Sequence, residues 1–168
     1  MKNVLSTISG VMLLVLICVS CSDDEYDFDV NPDSSCRDTQ LEMLIDGEDF
    51  NWITNSYGWE ESPANTGEVS IFIRGYVEND QGVAKNFTLR LPYEETGKDV
   101  VSSIEYSQNK DAAEFDGTST KMNIESNVIT NSSDCFFATF SSTVTDGTEE
   151  IVITNGSLSF NYSEPIPF

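Results

Sequence analysis

Histidine is missing altogether from the 168 residues, and cationic side chains are scarce: 8 Lys and Arg stand against 29 Asp and Glu, a formal charge of −21 at pH 7. Without imidazole there is no Ser-His-Asp or Cys-His arrangement, and the commonest zinc and copper ligand is gone. Without clustered Lys and Arg there is no footprint for a phosphate backbone, so a nucleic-acid partner is not expected. Anionic lipid headgroups repel such a chain as well. Strongly apolar sequence is confined to the first 20 residues, where the run around Val11–Ile17 is far short of the ~20 residues that span a bilayer. Helical periodicity is lacking from Gln40 onward.

What the N-terminus does contain is Lys2, then the apolar GVMLLVLI, then Cys18-Val19-Ser20-Cys21 followed by Ser22-Asp23-Asp24-Glu25. This is the layout of a secretory signal. The cysteine end resembles the lipobox of bacterial lipoproteins, with the small Ser20 before Cys21 and Cys18 where that family has leucine. The resemblance implies a signal peptide over residues 1–20 and lipidation, palmitate included, on Cys21. Ordinary secretion with Cys21 as a leftover thiol is the alternative. One acyl chain, at ~0.8 kcal/mol per buried CH₂, holds a protein only marginally, so several chains are what make an anchor stable. The acids behind Cys21 resemble the surface-export tag of Bacteroidota lipoproteins, which implies outer-membrane attachment on the cell surface, the periplasmic face being the alternative. They also read as part of a lipidated acidic tether over 21–39: residues 22–35 hold six acids and no base. Loss of Lys2 leaves 7 Lys and Arg against 29 Asp and Glu, a mature charge of −22. The membrane partner is then reached through the lipid alone; a glycan or an envelope protein is the expected further partner, and no cofactor is implied.

Cys36 and Cys135 remain as an even pair in an oxidising compartment. They are not spaced as C-x-x-C, so a redox dithiol is not expected. A structural disulfide is the reading, two buried thiols its rival.

From residue 40 to 168 the chain reads as one β domain. Val69, Ile71 and Ile73 alternate with Ser70 and Arg74; Phe87, Leu89 and Leu91 alternate with Thr88 and Arg90; Phe136, Ala138 and Phe140 alternate with Thr139 and Ser141. Period-two alternation describes half-buried antiparallel strands. Strands are expected over 41–45, 48–53, 68–78, 84–92, 99–106, 120–129, 135–144 and 149–162. Asp46-Gly47 reads as a type I′ turn pairing Met43 with Phe50 and Leu41 with Trp52. A like turn at Asp146-Gly147 would pair Phe140 with Ile153 and Ser142 with Ile151. Asn155-Gly156 reads as a third hairpin, pairing Ile153 with Leu158; a bulge in one long strand is its rival, because the apolar parity changes there. DAAEF (111–115) has the composition of one helical turn. The fold class is all-β: an antiparallel β-sandwich or partly open barrel of about eight strands joined by tight hairpins.

MLIDGEDFNW, IRGY, FTLRLP and IVITNGSLSFNYSEPI together are similar to a group of small Bacteroidota surface-type lipoproteins of unknown function. The resemblance implies the all-β domain and carries no catalytic residue with it.

Candidate chemistry is thin. Glu60-Glu61, Glu94-Glu95 and Glu149-Glu150 are adjacent, and neighbours in a strand point to opposite faces, which defeats a paired-carboxylate glycosidase reading. Asp27, Asp29, Asn31 and Asp33 alternate like calcium-loop ligands, but Pro32 stands where the loop needs glycine. No metal and no catalytic residue is expected, and the protein is not read as an enzyme. Tyr57 and Trp59, with acids and amides nearby in NSYGWEESPANTG, are the candidate ligand-binding residues: rings of this kind stack on neutral sugars. The competing role is to cover one end of the core. The functional expectation is a surface-exposed cell-envelope lipoprotein acting as a binding or adhesion module for a glycan or protein, through loops such as 55–67 and 107–119. A structural accessory subunit, or a carrier of a small apolar ligand, is the alternative.

Overall fold

In the computed structural model of this chain the described residues are 36–61, 68–78, 83–110 and 113–167, with the side chains of 110, 113 and 114 excepted. The signal segment, Cys21 and residues 22–35 lie outside them. The elements are β1 (Gln40–Ile45), β2 (Glu48–Asp49), β3 (Ile53–Glu61), β4 (Val69–Glu78), β5 (Ala84–Pro92), β6 (Gly97–Lys98), β7 (Ser103–Lys110), β8 (Ala113–Thr120), β9 (Ile124–Asn131), β10 (Cys135–Thr145) and β11 (Glu150–Asn161), with one 3-10 turn at Lys121–Asn123. Every ladder is antiparallel. The fold is all-β, as the alternation requires.

Nine strands run in the order β2-β1-β11-β10-β8-β7-β5-β4-β3, and β9, flanked by β6, pairs with the other stretch of β10. The sheet curls into an open half-barrel. Its inner face carries the alternating apolar set: Leu41, Met43 and Ile45 of β1, Ile71 and Ile73 of β4, Phe87, Leu89 and Leu91 of β5, all buried. Aromatic rings fill the middle. Phe87 stacks on Phe140 at 5.2 Å, and Trp52 meets Phe87 and Tyr106 edge-on at 6.3 and 6.4 Å. Curling brings β1 onto β4 so closely that a Cβ on Gly75 would overlap Leu41 Cδ2. Glycine is therefore the residue that lets the two ends of the sheet approach.

The turns divide the sequence expectations. At Asp46-Gly47 both residues have positive φ, 50° and 80°, the type I′ signature. Leu44 faces Asp49 and Ile45 faces Glu48, in the expected register, but the ladder stops after those two rungs. The expected strand 48–53 is cut short because Trp52 turns into the core. At Asp146-Gly147 the expected two-residue turn is replaced by a longer loop: Asp146 Oδ1 accepts hydrogen bonds from the backbone of Thr148 and Glu149 at 2.8 and 2.9 Å, and Thr145 pairs with Glu150. This moves the register by two residues, so Ser142 faces Ile153 and Val144 faces Ile151; a bulge beyond them carries Phe140 one residue further, to Gly156. A shift of two keeps the same side chains inward, which is why the apolar phase misled.

Asn155-Gly156 is not a hairpin. β11 runs unbroken past it, and both neighbouring ladders skip a residue there. Asn155 sits at φ 53°, and the extra residue turns Leu158, Phe160 and Tyr162 back onto the face held by Ile153. Residues 55–61, 107–110 and 113–119 are strand where the loops 55–67 and 107–119 were expected, and Ala113–Phe115 is extended, not helical. In β3 a second bulge between Thr54 and Ser56 breaks the alternation, with Ile53 beside Tyr76 on the outer face and Tyr57 beside Ile73 on the inner.

Cys36 and Cys135 form the disulfide, S–S 2.04 Å and Cα–Cα 5.7 Å, across a separation of 99 residues. The residues after it are sewn down beside β10 and β11. The Arg37 guanidinium lies 4.0 Å over the Phe137 ring, Ser159 Oγ donates to the Asp38 carbonyl, and the Asn161 N–H donates to Thr39 Oγ1 at 3.0 Å. Cys135 and Phe137 stay buried on the outward side of β10 because this segment covers them.

Candidate functional site

Tyr57 and Trp59 both occupy the inward side of β3, opposite Ile73 and Ile71. Tyr57 is half-buried, its ring 5.4 Å from Phe160 and 4.4 Å from Tyr162 between centroids, and its hydroxyl donates to the Glu164 carbonyl at 2.7 Å. That geometry ties the last turn of the chain to β3 and uses both the ring and the hydroxyl of Tyr57. Trp59 lies further along the edge strand with 41% of its surface exposed. The two residues thus differ in what they offer a ligand: Trp59 presents a ring, Tyr57 closes the end of the core.

The sheet's outer face holds a feature that no single stretch of sequence announces. Register places Arg74, Thr88 and Glu105 in one cross-strand row, and Asn86, Ser107 and Asp116 in the next. These six, from β4, β5, β7 and β8, line a shallow cleft of about 220 Å³. Thr88 is 5% exposed and forms its floor, walled in by the longer side chains on either side. Asn86 Nδ2 reaches Ser107 Oγ at 3.4 Å. Half-buried Tyr76 faces Asn86 across the strands, one position beyond the cleft.

The charges on this face fall into two groups. Arg90 Nη1 holds Glu60 at 2.8 Å and Arg90 Nε holds Glu105 at 3.1 Å, with the guanidinium 5.0 Å from the Phe72 ring centroid. The hydrogen bond that Arg90 donates to Glu60 is the main reason its pKa rises above the ordinary arginine value, against the lowering by burial. Arg74, by contrast, pairs with no acid among the described residues. An unpaired guanidinium on so acidic a protein leaves its five donors open to a ligand or to water. The cleft therefore offers donors (Arg74, Asn86), acceptors (Glu105, Asp116) and hydroxyls (Thr88, Ser107) on rigid strands. Among the described residues no cluster of three or more Cys, Asp or Glu is placed to hold a metal ion.

No family model, no curated protein and no solved structure matches this chain.

Proposed function

We propose that the protein is a non-catalytic envelope lipoprotein, anchored at the outer membrane through Cys21 and displayed on the cell surface, that binds a neutral saccharide on the outer face of its sheet. The observation that carries the binding reading is the mixed inventory of the cleft around Thr88. A sugar ring presents hydroxyls that both donate and accept, and a site with guanidinium, amide, hydroxyl and carboxylate side by side answers both. One guanidinium against two carboxylates gives the cleft itself a formal charge near −1, and the chain as a whole is strongly negative. Anionic sugars are disfavoured on both counts. The size suits one ring, since 220 Å³ lies below the ~300–1,000 Å³ of drug-sized pockets. Trp59, on another part of the molecule, is the rival platform.

The test is a saccharide array probed with the mature protein as wild type, Arg74→Ala, Asn86→Ala and Trp59→Ala. Binding to neutral saccharides is expected, weakened about tenfold or more by the Arg74 and Asn86 changes, each of which removes a hydrogen bond worth ~1.5 kcal/mol or more when charged or desolvated. Binding lost only with Trp59→Ala moves the site to β3. No retention on any neutral saccharide refutes the binding function.

The apolar-carrier reading has less support, because the interior between the curled faces is occupied by Phe87, Phe140, Trp52 and Tyr106. The accessory-subunit reading is favoured by one specific feature, the open edge of β1.

A further inference from the structure

β1 is covered on one side by β11 along its length but on the other only by the two rungs of β2. Among the described residues, Gln40–Met43 has no ladder on that second side. In an antiparallel strand half the peptide groups point to each side, so a short row of N–H and C=O groups faces outward there. The edge opens into a groove of about 390 Å³, larger than the outer-face cleft, whose far wall is Asp49–Trp52. The chain's own continuation does not fill it. Had residues 50–52 kept the register of β2, they would have lain opposite Met43–Leu41; Trp52 instead turns inward toward Phe87 and Tyr106.

We infer that this groove receives an extended segment of another protein, added as a strand along Gln40–Met43, and that the segment carries basic side chains. Main-chain pairing to an open edge supplies affinity, and alternate side chains supply specificity. Half-buried Leu44 and Phe50 provide apolar contact within the groove, and exposed Glu42 and Asp49 line it with negative charge. A cationic, alternating segment complements both. The other occupants fail on charge: a second copy of the mature chain, without residues 1–20, brings −22 against −22, and residues 22–35 bring six acids and no base. The opposite edge of the sheet is protected, since β3 is bulged at Thr54/Ser56 and ends in Glu60 and Glu61, devices that discourage strand addition. This site is separate from the saccharide cleft and does not depend on it.

Amide hydrogen exchange on the mature protein tests the site, with a blocked peptide of about six residues alternating Lys and Val as the probe, the length of one added strand. Exchange in the Gln40–Met43 segment is expected to slow about tenfold or more at saturation. A Glu/Val peptide should give no protection. Glu42→Lys with Asp49→Lys, both exposed and outside the core, should weaken the Lys/Val peptide about tenfold or more and lessen its salt dependence. Protection of Ile53–Glu61 in place of β1, no protection with the peptide at millimolar concentration, or a charge-reversed variant that binds as well as wild type would each overturn the proposal. So would sedimentation showing that the wild type alone self-associates with the β1 edge already protected, which would make a second copy the occupant.

Discussion

Gly156→Ala isolates the steric demand of the β11 bulge. Gly156 does not have positive φ, so alanine meets no backbone penalty and the entire effect is contact. Its Cβ would overlap Phe140 Cε2 and stand 2.5 Å from Cδ2. The ring has little room to retreat, being 5% exposed and stacked on Phe87 with 18° between planes. Overpacking of this kind costs ~1–3 kcal/mol, while replacing glycine in a strand returns ~0.5–1 kcal/mol through the unfolded chain. A net loss of about 1–2 kcal/mol is expected, a fall of roughly 3–10 °C in Tm for a domain of this size. The informative comparison is the same change in a Phe140→Leu background. That substitution vacates the ring's place and by itself costs ~1–3 kcal/mol as a large-to-small change. The new methyl then occupies freed space, so Gly156→Ala should be neutral or stabilising there, a coupling of at least ~1 kcal/mol. Urea unfolding followed by tryptophan fluorescence, with the disulfide intact, measures all four corners. Equal losses in both backgrounds, or none in the wild type, would refute Phe140 as the reason that position needs glycine.

Three further outcomes are expected. Cys36→Ser removes a cross-link over 99 residues, for which chain entropy gives ~4.7 kcal/mol as an upper figure; a loss of about 2–5 kcal/mol in urea is expected, and a loss below about 1 kcal/mol contradicts it. Burial raises the pKa of Tyr106 and Tyr162. An unfolded phenol ionises near ~10, so their stabilisation is complete below about pH 10 and is lost as pH rises beyond it. Tyr162→Phe should flatten that alkaline limb and leave stability at neutral pH unchanged or higher, because the Tyr162 hydroxyl is buried without a partner among the described residues; a loss above about 1 kcal/mol at pH 7 would speak against it. Cys21→Ala should release the protein from the membrane fraction, and protease added to intact cells should digest the wild type. Unchanged membrane retention argues against lipidation at Cys21, and protection of the wild type argues for the periplasmic face.

What could be read from the residues, and what could not, follows from how far apart the deciding groups lie. β4, β5 and β10 alternate without interruption, so their faces are visible one residue at a time. The disulfide follows from counting once Cys18 and Cys21 are set aside. Bulges defeat that kind of reading. The odd-to-even switch between Ile153 and Leu158 is plain in the sequence, but it suits a turn or an inserted residue equally; what decides is that β1 and β10 flank β11 on both sides of Asn155. In β3 the insertion hides the strand altogether, because Ile53 and Tyr57 no longer share a face. β8 is hidden for another reason: its inward positions are Phe115, Gly117 and Ser119, two of which look like turn or surface residues. The outer-face cleft is the extreme case. Arg74, Asn86, Thr88, Glu105, Ser107 and Asp116 are each merely the polar half of an alternating pair, and only the register of three successive ladders makes them neighbours. A binding site made from the solvent side of a sheet leaves no motif, since every strand spends the same residue types there to stay soluble. What marks the proposed one is Arg74, a guanidinium with no acid partner among the described residues, and that becomes visible only once the strands are aligned.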